Sequence, residues 1–331
     1  MKMSGLNKNF RGMLALIAIY LSAHAAPAAP RLRFEVAEIP GYPGAINNHG
    51  VIVEDRDIND LGDIIVAEST LIRDGVPIVL EADGPFPAFY AYALNNRDEV
   101  VGSVIDGYVL GGNVVITRQH AALWSNGVVR ALGPIGTDVA TQATDINDAG
   151  VAVGAMYPVT LPWENTFMAV MFHNGQTIPL GALPGDTSSW AMAINKRGEI
   201  LCVSWRSETE RRSFLVRAGS KIDLGALPGG TFVHAMGLNN LGHAVGYSQD
   251  AQGHQRAFLY IDGAMHDLTE FIKPNTGWTF LGAYAINDKD QIIGTGQING
   301  AAHTSFLLTP EKEPKPAHFK PPHGVFPTPT R

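Results

Sequence analysis

The sequence predicts an all-β fold, a six-bladed β-propeller of four-stranded blades, and three observations predict it. A hydrophobic residue followed by Asn recurs at Ile58-Asn59, Leu94-Asn95, Ile146-Asn147, Ile194-Asn195, Leu238-Asn239 and Ile286-Asn287, with spacings of 36, 52, 48, 44 and 48 residues. A four-stranded blade takes about 40 to 50 residues. A turn glycine precedes a leucine by a constant offset in Gly75 to Leu80, Gly127 to Leu132, Gly175 to Leu180, Gly219 to Leu224 and Gly263 to Leu268. Finally, 36 Gly and 21 Pro among 331 residues supply the many turns that such a fold needs.

Taken in order, the chain opens with a segment for export. Lys2, Lys8 and Arg11 form a basic start, Met13 to Leu21 an apolar core, and Ser22-Ala23-His24-Ala25 a small-residue cleavage region. Residues 1–26 therefore read as a secretory signal peptide, and the mature protein is expected to be secreted, periplasmic or extracellular. The apolar run is far shorter than the ~20 residues of a spanning helix. Residues 31–309 form the expected propeller domain. Residues 310–331 carry Pro314, Pro316, Pro321, Pro322, Pro327 and Pro329 and read as a Pro-rich, disordered tail.

Within each repeat the strands follow from pattern. Before the anchor Asn an inner strand carries small residues at alternate positions, as in Ala191 and Ala193 or Ala283 and Ala285. Three residues after the anchor stands Gly62, Asp98, Gly150, Gly198, Gly242 or Asp290, a residue that accepts left-handed backbone, so a tight hairpin is expected. Apolar second and third strands follow, and the Gly-to-Leu offset places the fourth. The last repeat ends at Leu308 with three strands. Arg33 to Ile39 alternates like the missing one, and pairing it there would close the ring and remove exposed sheet edges. Ile46-Asn47 lies only 12 residues before Asn59, too close for a full blade. Seven blades is the alternative, should Gly41 to Glu54 form more structure.

The cassette resembles the HAF family of extracellular repeat proteins, named for a His-Ala-Phe tripeptide on the third strand. Here the tripeptide has become His120-Ala121-Ala122, Arg256-Ala257-Phe258 and Arg212-Ser213-Phe214. The match is fuller in Asp223-Leu224-Gly225-Ala226-Leu227-Pro228-Gly229-Gly230 and in Leu180-Gly181-Ala182-Leu183-Pro184-Gly185-Asp186. The resemblance covers nearly the whole mature chain and implies a secreted, propeller-like repeat protein. It brings no catalytic residues with it.

Composition and motifs narrow the function. The formal charge of −7 without a Lys/Arg cluster argues against nucleic acid as a partner, and a monomer is expected. Cys202, the single cysteine, excludes an internal disulfide and reads as an inert core thiol. Asp55, Asp57, Asn59 and Asp63 set oxygen side chains at alternate positions and then a bend, a pattern suited to calcium; the competing reading is a hairpin with solvated charges. Asp57 and Asp145 replace the small residue two before the anchor, where a carboxylate needs a cation, a donor or water.

Blade topology puts short, regular turns on one face and variable loops on the other, where binding resides. That loop face is expected to gather Trp163, Glu164, Asp186, Trp190, Trp205, Arg206, His234, His254 and Trp278 as ligand-binding residues. The reading is a binding or scaffold propeller that recognises a carbohydrate or protein partner. The alternatives are a hydrolase or lyase on an extracellular polymer and a calcium-stabilised adhesion module.

Overall fold

The computed structural model describes residues 32–81, 88–110, 114–133, 139–159, 166–207 and 209–311, with the backbone alone for 106–110 and 114–117. The expected signal peptide, and the expected tail beyond Glu311, lie outside the described residues. Six antiparallel four-stranded sheets form a six-bladed β-propeller. Blade 1 runs from Asp57–Ile58 to Val76–Val79, blade 2 from Phe89–Leu94 to Val128–Ala131, and blade 3 from Val139–Ile146 to Gln176–Pro179. Blade 4 runs from Ser188–Ile194 to Ser220–Asp223 and blade 5 from Val233–Leu238 to Ala264–Asp267. Blade 6 takes Trp278–Ile286, Ile292–Ile298 and Thr304–Pro310. Its outer strand is Phe34–Ile39, paired from Phe34 opposite Pro310 to Ile39 opposite Ser305. The ring is thus closed by the N-terminal strand.

The constant Gly-to-Leu offset has a physical cause. The outer hairpins turn at Asp74-Gly75, Asn126-Gly127, Asn174-Gly175, Ala218-Gly219 and Asp262-Gly263, and both residues of each pair have positive φ. Two left-handed residues match the right-handed twist of flanking strands, so a two-residue loop fixes the register. The following Leu then falls on the buried face: Leu80, Leu224 and Leu268 are at most 3% exposed.

Each anchor Asn builds its own turn and grips the next blade. Asn195 Oδ1 accepts the N–H groups of Arg197 and Glu199, and its Nδ2 donates to the Asn239 carbonyl at 3.1 Å. The same bond passes from Asn59 to Asn95, from Asn95 to Asn147, from Asn147 to Asn195 and from Asn239 to Asn287. The circuit then closes through Asn47: Asn287 Nδ2 donates to the Asn47 carbonyl at 2.9 Å, and Asn47 Nδ2 to the Asn59 carbonyl at 3.1 Å. The axis is therefore lined by seven asparagine turns although the ring has six four-stranded blades. The seventh turn belongs to a two-stranded hairpin, Ala45–Ile46 with Ile52–Val53, wedged between the inner strands of blades 6 and 1. The short spacing of Ile46-Asn47 leaves room for two strands, not four.

Buried apolar clusters hold the blades together. Phe172 and Leu123 lie between blades 2 and 3, Phe214 and Val153 between 3 and 4, and Phe258 and Leu215 between 4 and 5. Phe89 with Leu71 seals blades 1 and 2, and Phe280 with Phe271 seals 5 and 6. Among the described residues, none of these five clusters spans blades 6 and 1.

Candidate functional site

Two regions near the axis carry chemistry. The first lies inside the channel. In blades 2 to 6 the inner strand has a bulge three residues before the anchor, so that Tyr92, Thr144, Met192, Met236 and Tyr284 have no partner across the strand. A bulge re-aims the extra side chain. Here all five, together with Arg56, line an axial cavity of ≈ 260 Å³. The small residues on either side of each bulge, such as Ala91 and Ala93, were legible in the sequence; the larger residue between them was the missed sign.

Asp57 and Asp145 line the same cavity. Backbone donors satisfy both. Asp57 accepts N–H groups from Ile58 at 2.9 Å and Leu94 at 3.0 Å, and Asp145 from Ile146 at 2.8 Å and Ile194 at 2.7 Å. Each carboxyl thereby ties its blade to the next. Burial raises the Asp57 pKa to about 7 against the pull of those N–H bonds, and burial together with the charge of Asp57 raises Asp145 to about 7.

The second region is the loop face of blades 3 to 5, where half-buried rings form a continuous strip. Phe167 lies 5.1 Å from Tyr157, 5.3 Å from Trp190 and 5.9 Å from Trp205, ring centre to ring centre. The Arg211 guanidinium then bridges to blade 5, 5.3 Å from the Trp205 ring and 5.7 Å from Phe232. Tyr247 stacks on both Phe232 and His234. Burial, and then the charge of Arg211, lower the His234 pKa to about 4, so its ring is neutral near pH 7. Burial and the nearby Tyr92 raise the Tyr157 phenol, which donates to Gln119 Oε1 at 2.8 Å. Beside the strip lies a pocket of ≈ 400 Å³ whose lining includes Asp186, Arg206, Glu210, Arg211 and Arg212.

The expected ligand residues divide accordingly. Trp190, Trp205 and His234 share the strip, and Asp186 and Arg206 line the adjoining pocket. Asp186 is already held by Ser204 Oγ at 2.6 Å and by Arg212 at 3.0 Å, which fixes the pocket wall. Arg206 pairs with Glu210. Two residues fall elsewhere. Trp278 stacks on Phe280 at 5.4 Å and meets Phe306 edge-on, so it packs against blade 6, apart from the strip. His254 sits exposed in its own turn against Asp250, at 3.3 Å. Trp163 and Glu164 lie outside the described residues. Phe167, Arg211, Phe232 and Tyr247 join the strip from positions that sequence periodicity does not mark.

The four oxygen ligands expected to hold calcium do not converge. Asp57 turns to the axis, Asn59 closes its own turn through Leu61 and Asp63, Asp63 pairs with Arg73 at 3.3 Å, and Asp55 is exposed. Ladder and turn bonds use these oxygens in different directions. No group of three or more His, Cys, Asp or Glu suited to a metal ion occurs among the described residues. Cys202 is fully buried, and burial pushes its thiol well above the ordinary range.

No protein-family model matches the sequence, and no curated protein is similar to it. Solved structures are similar in fold. A puromycin hydrolase mutant complexed with PGG is 16% identical with a TM-score of 0.52, over 86% of this chain and 46% of that one. The β-propeller domain of the Trilobed protease from Pyrococcus furiosus is 16% identical with a TM-score of 0.39, over 54% of each chain. TolB from Acinetobacter baumannii is 10% identical with a TM-score of 0.40, over 91% of this chain and 69% of that one. The chain spans about half the length of the first two. At such identities the likeness concerns the fold alone. Among the described residues no helix is long and apolar enough to cross a membrane.

Proposed function

We propose that this is an exported binding propeller that takes a carbohydrate on the loop face of blades 3 to 5. The observation that carries the reading is the strip from Tyr157 through Phe167, Trp190, Trp205 and Arg211 to Phe232, half-buried and fixed ring against ring beside a charged pocket. Rings ordered before binding lose little entropy on contact, and their flat faces suit the C–H faces of sugars. Arginine and carboxylate side chains in the pocket supply donors and acceptors for hydroxyl groups. The pocket volume of ≈ 400 Å³ falls in the range of small-molecule sites, about 300–1,000 Å³.

A glycan array probed with the purified mature protein tests this. Binding that Trp205→Ala weakens at least tenfold, with the fold retained, is the expected result. An array without binding, or binding indifferent to Trp205→Ala and Trp190→Ala, would overturn it and leave a protein partner as the better reading.

A second reading, hydrolysis of a polymer threaded into the channel, is favoured by one observation. Asp57 and Asp145 face one cavity with pKa values of about 7, where a carboxyl can act as acid or base. The binding reading stands ahead of it because the oxygens of both carboxyls are already used by backbone N–H groups.

A further inference from the structure

The seam between blades 6 and 1 differs from the other five junctions. It has no buried cluster of its own, and the hairpin fills only its inner end. There the closure is tight: Ile46 is 9% exposed, Ile293 of blade 6 is fully buried, and Ser305 Oγ donates to the Gly41 carbonyl at 2.5 Å. Farther out the packing stops. Blade 1 turns Ile65, Leu71 and Leu80 toward blade 2, which leaves Ile64, Val66, Thr70, Ile72, Pro77 and Val79 on the seam side. The first four are only partly buried, Pro77 is exposed, and Val79 is 61% exposed. Three of the eight most exposed large hydrophobic residues belong to this sector: Tyr42 and Val51 beside the hairpin strands, and Val79 on the seam face of blade 1.

Two features of this seam define what fits it. Ile52–Val53 is the second strand of a two-stranded sheet, so its outer edge meets no strand among the described residues. In every other sector a third strand pairs at that place. The surroundings are acidic: residues 32–81 hold ten Asp and Glu against three Arg, which equals the chain's whole formal charge of −7. Glu35, Glu54, Asp55 and Glu68 of this stretch are exposed. A second copy of the chain would bring the same charge to the seam and repel it.

We infer that the seam is a docking site for an extended, basic and apolar polypeptide segment of another protein, which adds a strand beside Ile52–Val53. Its apolar side chains cover the seam face of blade 1, and its Lys or Arg side chains meet Glu54 and Asp55. This is strand addition to an exposed edge, with backbone bonds giving affinity and alternate side chains giving selection. The seam is built by blades 6 and 1, so its occupancy is separate from carbohydrate binding on blades 3 to 5.

A fluorescent decapeptide of alternating Lys and Val, titrated into the full chain by anisotropy, tests the inference. The expected result is saturable binding at least tenfold tighter than that of the Glu-Val counterpart, weakened about tenfold between 0.05 and 0.5 M salt. Val79→Lys, at an exposed position that does not endanger folding, should weaken it at least tenfold. No binding, or binding unchanged by Val79→Lys, would overturn the inference. So would a dimer that Val79→Lys separates, which would make a second copy the occupant. A gain in peptide affinity on deleting residues 312–331 would also overturn it, by assigning the seam to the chain's own C-terminal segment.

Discussion

The two ends of the axial channel are built on opposite principles. At the turn end seven asparagines repeat one set of bonds, each to its own turn and to its neighbour. A second circle lies over them: the side chains of Asp60, Asn96, Asp148, Asn240, Asp288 and Asn48 each accept a backbone N–H from the preceding sector. Lys196 is the exception, since it has no acceptor. Its ammonium group instead reaches Asp148 at 3.6 Å and Asp60 at 3.9 Å. Burial opposes the charge on Asp148, but the Asn96 bonds and Lys196 outweigh it and hold this carboxyl below its usual range. At the loop end no such repetition exists, and the same inner strands offer Tyr90, Gln142, Trp190 and His234 at equivalent places. Repetition marks what every blade needs to stand; individuality marks what one face is free to bind.

That contrast can be broken by experiment. Asn195→Ala removes the acceptor of the Arg197 and Glu199 N–H groups and the donor to the buried Asn239 carbonyl, while the Glu199 carboxylate keeps Arg197 and Arg217 as partners. The expected cost is about 2–4 kcal/mol, given the penalty for unsatisfied buried groups. Chemical denaturation measures it, and a change below about 1 kcal/mol would show that the ring is ornamental.

The axial carboxyls come next. Their folded pKa of about 7 exceeds the unfolded value near 3.8, so between those values the folded state holds protons that the unfolded chain has released. Stability should therefore fall as pH rises from about 4 to about 7, and level off above. Asp145→Asn should remove roughly half of that fall in melting temperature. An unaltered profile would mean that the pair is not the titrating group. The smallest effect is expected at His254, exposed on the loop face: His254→Ala should stay within about 0.5 kcal/mol of the parent.

The sequence carried the architecture because turn chemistry is local. Asn with a left-handed residue three positions later, and Gly at a fixed distance from Leu, are constraints of a few bonds that each blade repeats. Asn47 shows the limit: counting residues between anchors rules out a blade, but a turn needs only a hairpin to join the ring. The aromatic strip was legible in part. Trp190, Trp205 and His234 stood out as residues in variable segments, whereas Phe167 and Arg211 become members only when three blades converge. Trp278 occupies a similar loop-edge position and packs inward, because Phe280 and Phe306 lie on its own blade. The acidic run at Asp55 to Asp63 misled for a related reason. Alternation would set Asp55, Asp57 and Asn59 on one side of a strand, but only Asp57–Ile58 is strand here, and the bonds of each turn decide where the oxygens point.

The hairpin at Ala45–Ile46 and Ile52–Val53 also works as a spacer. The circumference of the axis is counted in turns, so two short strands widen the bore as much as a whole blade would. Asp57 and Asp145 line that bore two sectors apart, and the charge of Asp57 reaches Asp145. A circle of six turns would bring them closer, and the repulsion between like charges grows as the inverse of their separation. A few residues of hairpin therefore set how readily the heart of the molecule can bear two negative charges at once.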